Sequence, residues 1–271
     1  MSVLNIRIKF KKYGVMKFIG HLDIMRYFQK SMRRAHIDIA YSEGFSPHQI
    51  MSFAAPLGVG ITSDGEYLDI EVNSTLSSKE SIDALNQVMV DGISILEYKK
   101  LPDMAKTSMS LVAAADYLVY IKDNYTNPFN LKELEEQMHA FYQQPEILIT
   151  KKTKKSERVI DLKPFIYDMK AVEYDGKPAF FLKVCTGSSS NIKPELVIEK
   201  FYRFCEIPFE PLAFQIHRQE VYVSSEEIPV KGEHERAEYA EKLSLMKKEY
   251  AEKGLEFPTF FTLGELGEDI L

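Results

Sequence analysis

Residues 3–11 set the terms for everything around them. They read Val-Leu-Asn-Ile-Arg-Ile-Lys-Phe-Lys, with Leu4, Ile6, Ile8 and Phe10 on one side and Asn5, Arg7, Lys9 and Lys11 on the other. Period two with a single apolar face predicts a half-buried strand. Such a strand needs helices over its apolar face and further strands at its edges, which makes the surrounding fold α+β. The next 90 or so residues supply these parts. Gly20 precedes a helix of about four turns, with an apolar stripe of Leu22, Met25, Phe28, Met32 and Ala35. Phe18 is placed to staple onto Leu22. Ile37–Tyr41 and Ile50–Ala54 read as short strands around a loop, Ser42–Gln49, punctuated by Gly44 and Pro47. Glu66–Asn73 alternates again. Ser77 and Glu80 form a capping box that opens a helix striped by Ile82, Leu85, Val88 and Met89, and Ile93–Tyr98 is a strand. The order is βαββαβ, that of a ferredoxin-like sandwich.

The second half repeats the plan more loosely. Strands are expected at Tyr117–Ile121, Ile147–Lys151, Val159–Val172, Ala179–Thr186 and Leu212–Val223. Asn130 and Glu133 cap one helix, with Leu131, Leu134, Met138 and Phe141 as its stripe. Pro194 opens a second, with Val197, Ile198, Phe201 and Phe204. From Glu226 the chain carries twelve acids against six bases. Within that stretch His234–Lys253 reads as a helix, Tyr239, Leu243, Met246 and Tyr250 forming its stripe. The expectation is therefore two tandem ferredoxin-like sandwiches, 1–105 and 106–225, followed by an acidic helical tail, 226–271.

A length of 271 residues suits two domains. No uncharged apolar run reaches the roughly 18 residues of a membrane span. The opening residues alternate like a strand and lack the apolar core of a secretory signal. The only two cysteines, Cys185 and Cys205, are far apart and form no CxxC pair. That points to a reducing compartment, the cytoplasm, and away from a Cys-based metal site.

The charge is unevenly spread. Residues 1–60 hold nine Lys/Arg against three Asp/Glu, so they carry +6 in a chain of net charge −6, and the remainder carries −12. A basic face on an acidic protein points to a local anionic partner. Arg26, Lys30, Arg33 and Arg34 recur at helical spacing and could contact phosphates about a turn apart. Tyr27, Tyr41 and Phe45 could stack on unpaired bases. Arg7, Lys9 and Lys11 share one side of the first strand and would add to this surface if that side is open. The competing reading is a solvated helix face. His21, at the helix start, and His48, in the loop after Pro47, could form an acid/base set or metal set with Asp23 or Glu43. HxxxH and HExxH spacings are absent, however, and no metal is assigned. His36, His139, His217 and His234 are isolated. Pro56–Gly65 joins two strands and lacks the GK[ST] ending of a phosphate loop. The cluster Lys151–Lys155 reads as a solvated hairpin tip.

Three segments, GHLDIMR (Gly20–Arg26), YSEGFSPH (Tyr41–His48) and PLGV with SDGEYLD (Pro56–Val59, Ser63–Asp69), resemble the signature of the radical-SAM-linked protein family. The match is good over the first domain and loose beyond it. Members of that family are fused to, or encoded beside, a radical SAM protein. The resemblance implies an accessory subunit that presents a substrate, with RNA as the expected target. The iron–sulfur cluster and S-adenosylmethionine would then lie in the partner, because two distant cysteines cannot supply a CxxxCxxC cluster motif. Arg26, Lys30, Arg33, Arg34, Tyr41, Phe45 and His48 would bind the substrate. An RNA-processing or RNA-modifying enzyme using His21 or His48, and a protein-interaction scaffold docking through the acidic tail, are the alternatives.

Overall fold

The computed structural model describes residues 3–152, 157–187 and 190–271, and the fold is α+β with six α-helices among these residues. Two compact units form. One comprises residues 1–113 with 220–271, the other residues 114–219. Against expected boundaries at 105/106 and 225/226, the divisions fall at 113/114 and at 219/220.

The first unit begins with β1 (Leu4–Lys12), α1 (His21–Arg34), β2 (Met51–Phe53), β3 (Thr62–Val72), α2 (Ser78–Val88), β4 (Ile93–Lys100) and α3 (Ser108–Leu111). β1 pairs antiparallel with β3 on one side (Leu4 opposite Val72) and with β4 on the other (Ile6 opposite Lys100). β2 lies on β3, Met51 opposite Ile70. The apolar side of β1 and β3 (Ile6, Ile8, Phe10, Leu68, Ile70) packs with Ile24, Phe28 and Met32 of α1 and Leu85 of α2. Ser77 caps α2 with the expected reciprocal box to Glu80.

Three expectations for this region change. Leu22 is exposed, as is Phe18, so the staple does not form; Ile24 is the buried residue of that turn. Ile37–Tyr41 is no continuous strand: it meets its neighbours only at the bridges Ile39–Val72 and Tyr41–Gln49. And the side of β1 that carries Arg7, Lys9 and Lys11 is not an open basic face. Arg7 is 2% exposed, its guanidinium donating to both carboxylate oxygens of Asp69 (2.8 and 3.0 Å) and to the Leu263 carbonyl (3.1 Å). Lys9 pairs with Glu220 at 2.5 Å, and Lys11 with Asp64 at 3.1 Å. Burying cations requires such partners, and they come from residues far away in sequence.

The second unit holds β5 (Val112–Ile121), α4 (Leu131–Gln143), β6 (Leu148–Lys152), β7 (Glu157–Asp161), β8 (Ile166–Tyr174), β9 (Lys177–Cys185) and α5 (Pro194–Phe204). β10 (Phe214–Ser224) then leads back into the first unit. β9 pairs with β5 and β8, both antiparallel, while β6 and β7 form a separate hairpin. Thr153–Ser156, which include Lys154 and Lys155 of the lysine cluster, lie outside the described residues. α4 and α5 bury Leu134, Met138, Phe141, Val197 and Phe201, and Phe201 meets Phe141 and Phe180 edge-on at 5.5 and 5.4 Å.

The last segment adds α6 (Glu233–Glu252), β11 (Phe260–Thr262) and β12 (Glu268–Asp269). β11 pairs with the end of β10, and β12 pairs with β4. Ser78 and Ile270 exchange two hydrogen bonds, 2.8 and 2.9 Å. Residues expected as a helical tail thus supply strands to the first unit. No residue of α6 is fully buried; its stripe of Tyr239, Leu243, Met246 and Tyr250 is half-buried, with Tyr250 against Phe257 at 5.3 Å. No helix among the described residues is long and apolar enough to cross a membrane.

Candidate functional site

The surface is built on α1. Gly20 is the N-cap and contributes no side-chain acceptor; Asp23 in the first turn complements the positive helix end. Burying Ile24, Phe28 and Met32 turns the opposite side outward. On that side Leu22, Arg26, Lys30 and Arg33 follow at steps of four, four and three, a single exposed stripe. Arg26 pairs with Asp23 at 3.3 Å, both groups being well exposed. Arg34 is tied down, donating to Ser31 Oγ (3.1 Å) and to the Val88 carbonyl (3.2 Å) and lying over the Tyr27 ring at 5.9 Å. Lys30 and Arg33 have no ion pair among the described residues.

The loop after α1 is held at its base. Asp38 accepts from Asn73 Nδ2 (3.0 Å) and Ser74 Oγ (2.7 Å), which hold its carboxyl below the usual range. Ala40 N–H donates to the Glu71 carbonyl (2.7 Å), and Ile50 N–H to the Ala40 carbonyl (2.9 Å). Above these rungs Ser42 N–H donates to the His48 carbonyl at 2.8 Å. Ser42 Oγ accepts from His48 N–H (3.1 Å) and shares a hydrogen bond with His48 Nδ1 (2.8 Å). With Nδ1 engaged, Nε2 is the nitrogen His48 can offer a ligand. Gly44 adopts φ +107°, which suits glycine. Phe45 beside it is fully exposed, and Tyr41 is half exposed. The loop is therefore pinned at both arms and presents a bare aromatic ring.

The two histidines have separate surroundings. His21 packs its ring edge-on against Phe53 at 5.2 Å, whereas His48 bonds to Ser42. Among the described residues no three His, Cys, Asp or Glu gather as a metal-ligand set. Cys205 donates to Gln137 Oε1 at 3.8 Å, and burial pushes its thiol pKa up to about 11. Of the aromatic residues expected at the site, Tyr27 turns inward, its hydroxyl accepting from Val90 N–H at 2.8 Å.

The structure also assigns roles to the GEYLD segment. Asp69 binds Arg7 and accepts from Ser108 N–H at 2.6 Å, so it anchors residues 263 and 108 to the sheet. Tyr67 is buried, and its pKa is raised by that burial and by Glu220. These motif residues build the fold. In the other two segments Leu22, Asp23, Arg26, Tyr41 and Glu43–His48 are exposed.

Sequence reasoning missed an exposed apolar group: Val15, Phe18, Leu22 and Val59 are each more than half exposed. The available signal was the helix wheel, which puts Leu22 in phase with Arg26, Lys30 and Arg33 rather than with Phe28 and Met32.

The model of the family described as "Uncharacterized protein conserved in bacteria (DUF2344)" matches residues 5–194. No curated protein matches. Among solved structures, the chain is similar to one in "Crystal Structure of a Cbf5-Nop10-Gar1 Complex", with 12% identity over 93% of this chain and a TM-score of 0.41. It spans 57% of that chain. A second similar structure is "Crystal Structure of an Unknown Protein from Galdieria sulphuraria", with 11% identity, 80% of this chain and 98% of that one covered, and a TM-score of 0.22. At these scores neither likeness carries an inference.

Proposed function

We propose, for a chain that belongs to the DUF2344 family of conserved bacterial proteins, that the first unit is a recognition surface which binds RNA. In this reading the protein is an accessory, substrate-presenting subunit in the cytoplasm, built from two ferredoxin-like sandwiches. A separate radical SAM enzyme, holding the iron–sulfur cluster and S-adenosylmethionine, performs the chemistry. That partner rests on the resemblance of the GHLDIMR, YSEGFSPH and GEYLD segments.

The observation that carries the RNA reading is the pairing of two exposed features in one stretch of chain. Lys30 and Arg33 stand on α1 without an ion-pair partner among the described residues, and Phe45 is bare at the tip of a pinned loop. Cations on a rigid helix position phosphates, and an exposed ring offers a stacking platform to an unpaired base. The strand cations do not take part, since Arg7, Lys9 and Lys11 are neutralised by Asp69, Glu220 and Asp64. The footprint is thus smaller than nine Lys/Arg in the first 60 residues suggest.

A fluorescently labelled single-stranded RNA tests this. Reversing both charges, Lys30→Glu with Arg33→Glu, should weaken binding at least about tenfold at moderate salt. Phe45→Ala should weaken it by the ~1–3 kcal/mol of one lost base stack, roughly 5- to 150-fold. Equal affinity of wild type and both variants would overturn the reading.

A further inference from the structure

The face of the first unit's sheet that points away from α1 and α2 holds a cavity that RNA recognition does not use. Alternation along β1, β2 and β3 puts Asn5, Ser52, Asp69 and Glu71 on that face, while Ile6 and Ile70 turn into the core. Asn5 stands directly across from Glu71, and Ser52 across from Asp69. Residues 101–107 line the cavity from the other side and are held in place by backbone hydrogen bonds. Leu101 N–H donates to the Asn5 carbonyl (2.9 Å), Lys106 N–H donates to the Pro229 carbonyl (2.7 Å), and Ala105 bridges to Val230. The cavity measures about 100 Å³, and Ile50, Leu101 and Ala105 give it an apolar wall.

Charge decides what the cavity can take. Two of its charged groups are already neutralised: Asp69 binds Arg7 and the Ser108 amide, and Lys106 pairs with Glu227 at 2.5 Å. Asn5, Ser52 and Glu71 also line it, are half-buried, and have no side-chain hydrogen bond or ion pair among the described residues. A carboxylate drawn partly out of water calls for a donor. The acceptors on offer are the two Glu71 oxygens, the Asn5 amide oxygen and the Ser52 hydroxyl. That set suits a group with one positive charge and several N–H donors. A calcium ion takes about six to eight oxygen ligands, more than these three side chains provide, and an anion is repelled by Glu71. The apolar wall suits a short alkyl chain. An apolar cavity of roughly 150 Å³ holds a benzene ring, so this one takes about four heavy atoms. We infer that Asn5, Ser52 and Glu71 form a binding site for a primary alkylammonium group. The site is independent of whether RNA is the substrate.

The test is a ligand-observed NMR titration of the full chain with n-propylammonium. n-Propanol, the neutral molecule of the same size, and propionate, the anionic one, are the controls. Saturable millimolar binding is expected for propylammonium and for neither control. Glu71→Gln keeps the size of the side chain and removes its charge, and should weaken binding at least tenfold; Asn5→Ala should weaken it severalfold. Neither side chain has a partner to lose, so both variants should melt with the wild type. Two further ligands separate the sources of the amine. 1,4-Diaminobutane offers the ammonium on a free small molecule, and N-acetyl-lysine methylamide offers it on a polypeptide side chain; the tighter binder identifies the source. Absence of saturable propylammonium binding, equal binding of propanol, or wild-type affinity in both variants would each overturn the proposal. If Glu71→Gln lowers the melting temperature, the preference of the wild type for propylammonium over propanol and the Asn5→Ala titration still decide it.

Discussion

The buried pair of Arg7 and Asp69 takes one cation of the first strand out of reach of a ligand. Their side chains are 2% and 13% exposed, and together they hold the Leu263 carbonyl and the Ser108 amide. Breaking a buried pair from one side leaves an uncompensated charge. Asp69→Ala should therefore cost ~3–5 kcal/mol in urea unfolding. Lys30→Ala, at a solvent-facing position, should stay within about 0.5 kcal/mol. If the two variants were equally stable, the structural role given to Asp69 would be wrong. The contrast explains why charge counting over-reads this chain. Arg7, Lys9 and Lys11 have the same periodicity whether their side of the strand is open or covered. The acids that pair with them, Asp69, Glu220 and Asp64, are 53 residues or more away along the chain. The exposed cations on α1 were legible because helical spacing is local.

The elements themselves were read well wherever a local chemical signal marks their ends. Gly20 begins α1, and the Ser77/Glu80 and Asn130/Glu133 boxes form as expected. Glu80 carries a consequence for pH. Hydrogen bonds from the Ser77 side chain, and then from its backbone, lower the Glu80 pKa below 4.5. A depressed folded pKa contributes stability that is present above the unfolded value and fades as pH falls through the folded one. Ser77→Ala should thus destabilise by ~1 kcal/mol near neutrality, and the gap from wild type in urea melts should narrow toward pH 3. A gap that widens on acidification would contradict the box. At the start of β4, Gly92 has φ +90°, and a Cβ there would meet the Tyr13 carbonyl oxygen at 2.5 Å. Gly92→Ala should cost more than the ~1–2 kcal/mol of the left-handed backbone alone, read as a lower thermal midpoint. What could not be read was the destination of the C-terminal segment. β11 and β12 are three and two residues long, too short for periodicity to register, and their pairing with β10 and β4 is set by tertiary contacts.

At the scale of the molecule, an acidic chain of net charge −6 keeps a small cationic surface on the first unit. The strand cations are neutralised internally, whereas Lys30 and Arg33 stand exposed on α1 without an ion pair among the described residues. Such a surface recognises a ligand at a few points, so its salt dependence should be shallow and should depend on few residues. The measurement that tests this most directly is the slope of log K against log salt for a labelled single-stranded RNA, taken for wild type and for Lys30→Glu/Arg33→Glu. Each phosphate contact on a single strand contributes about 0.7 to the slope. Loss of two contacts should flatten it by about 1.4. An identical slope in the two proteins would contradict recognition of RNA by α1.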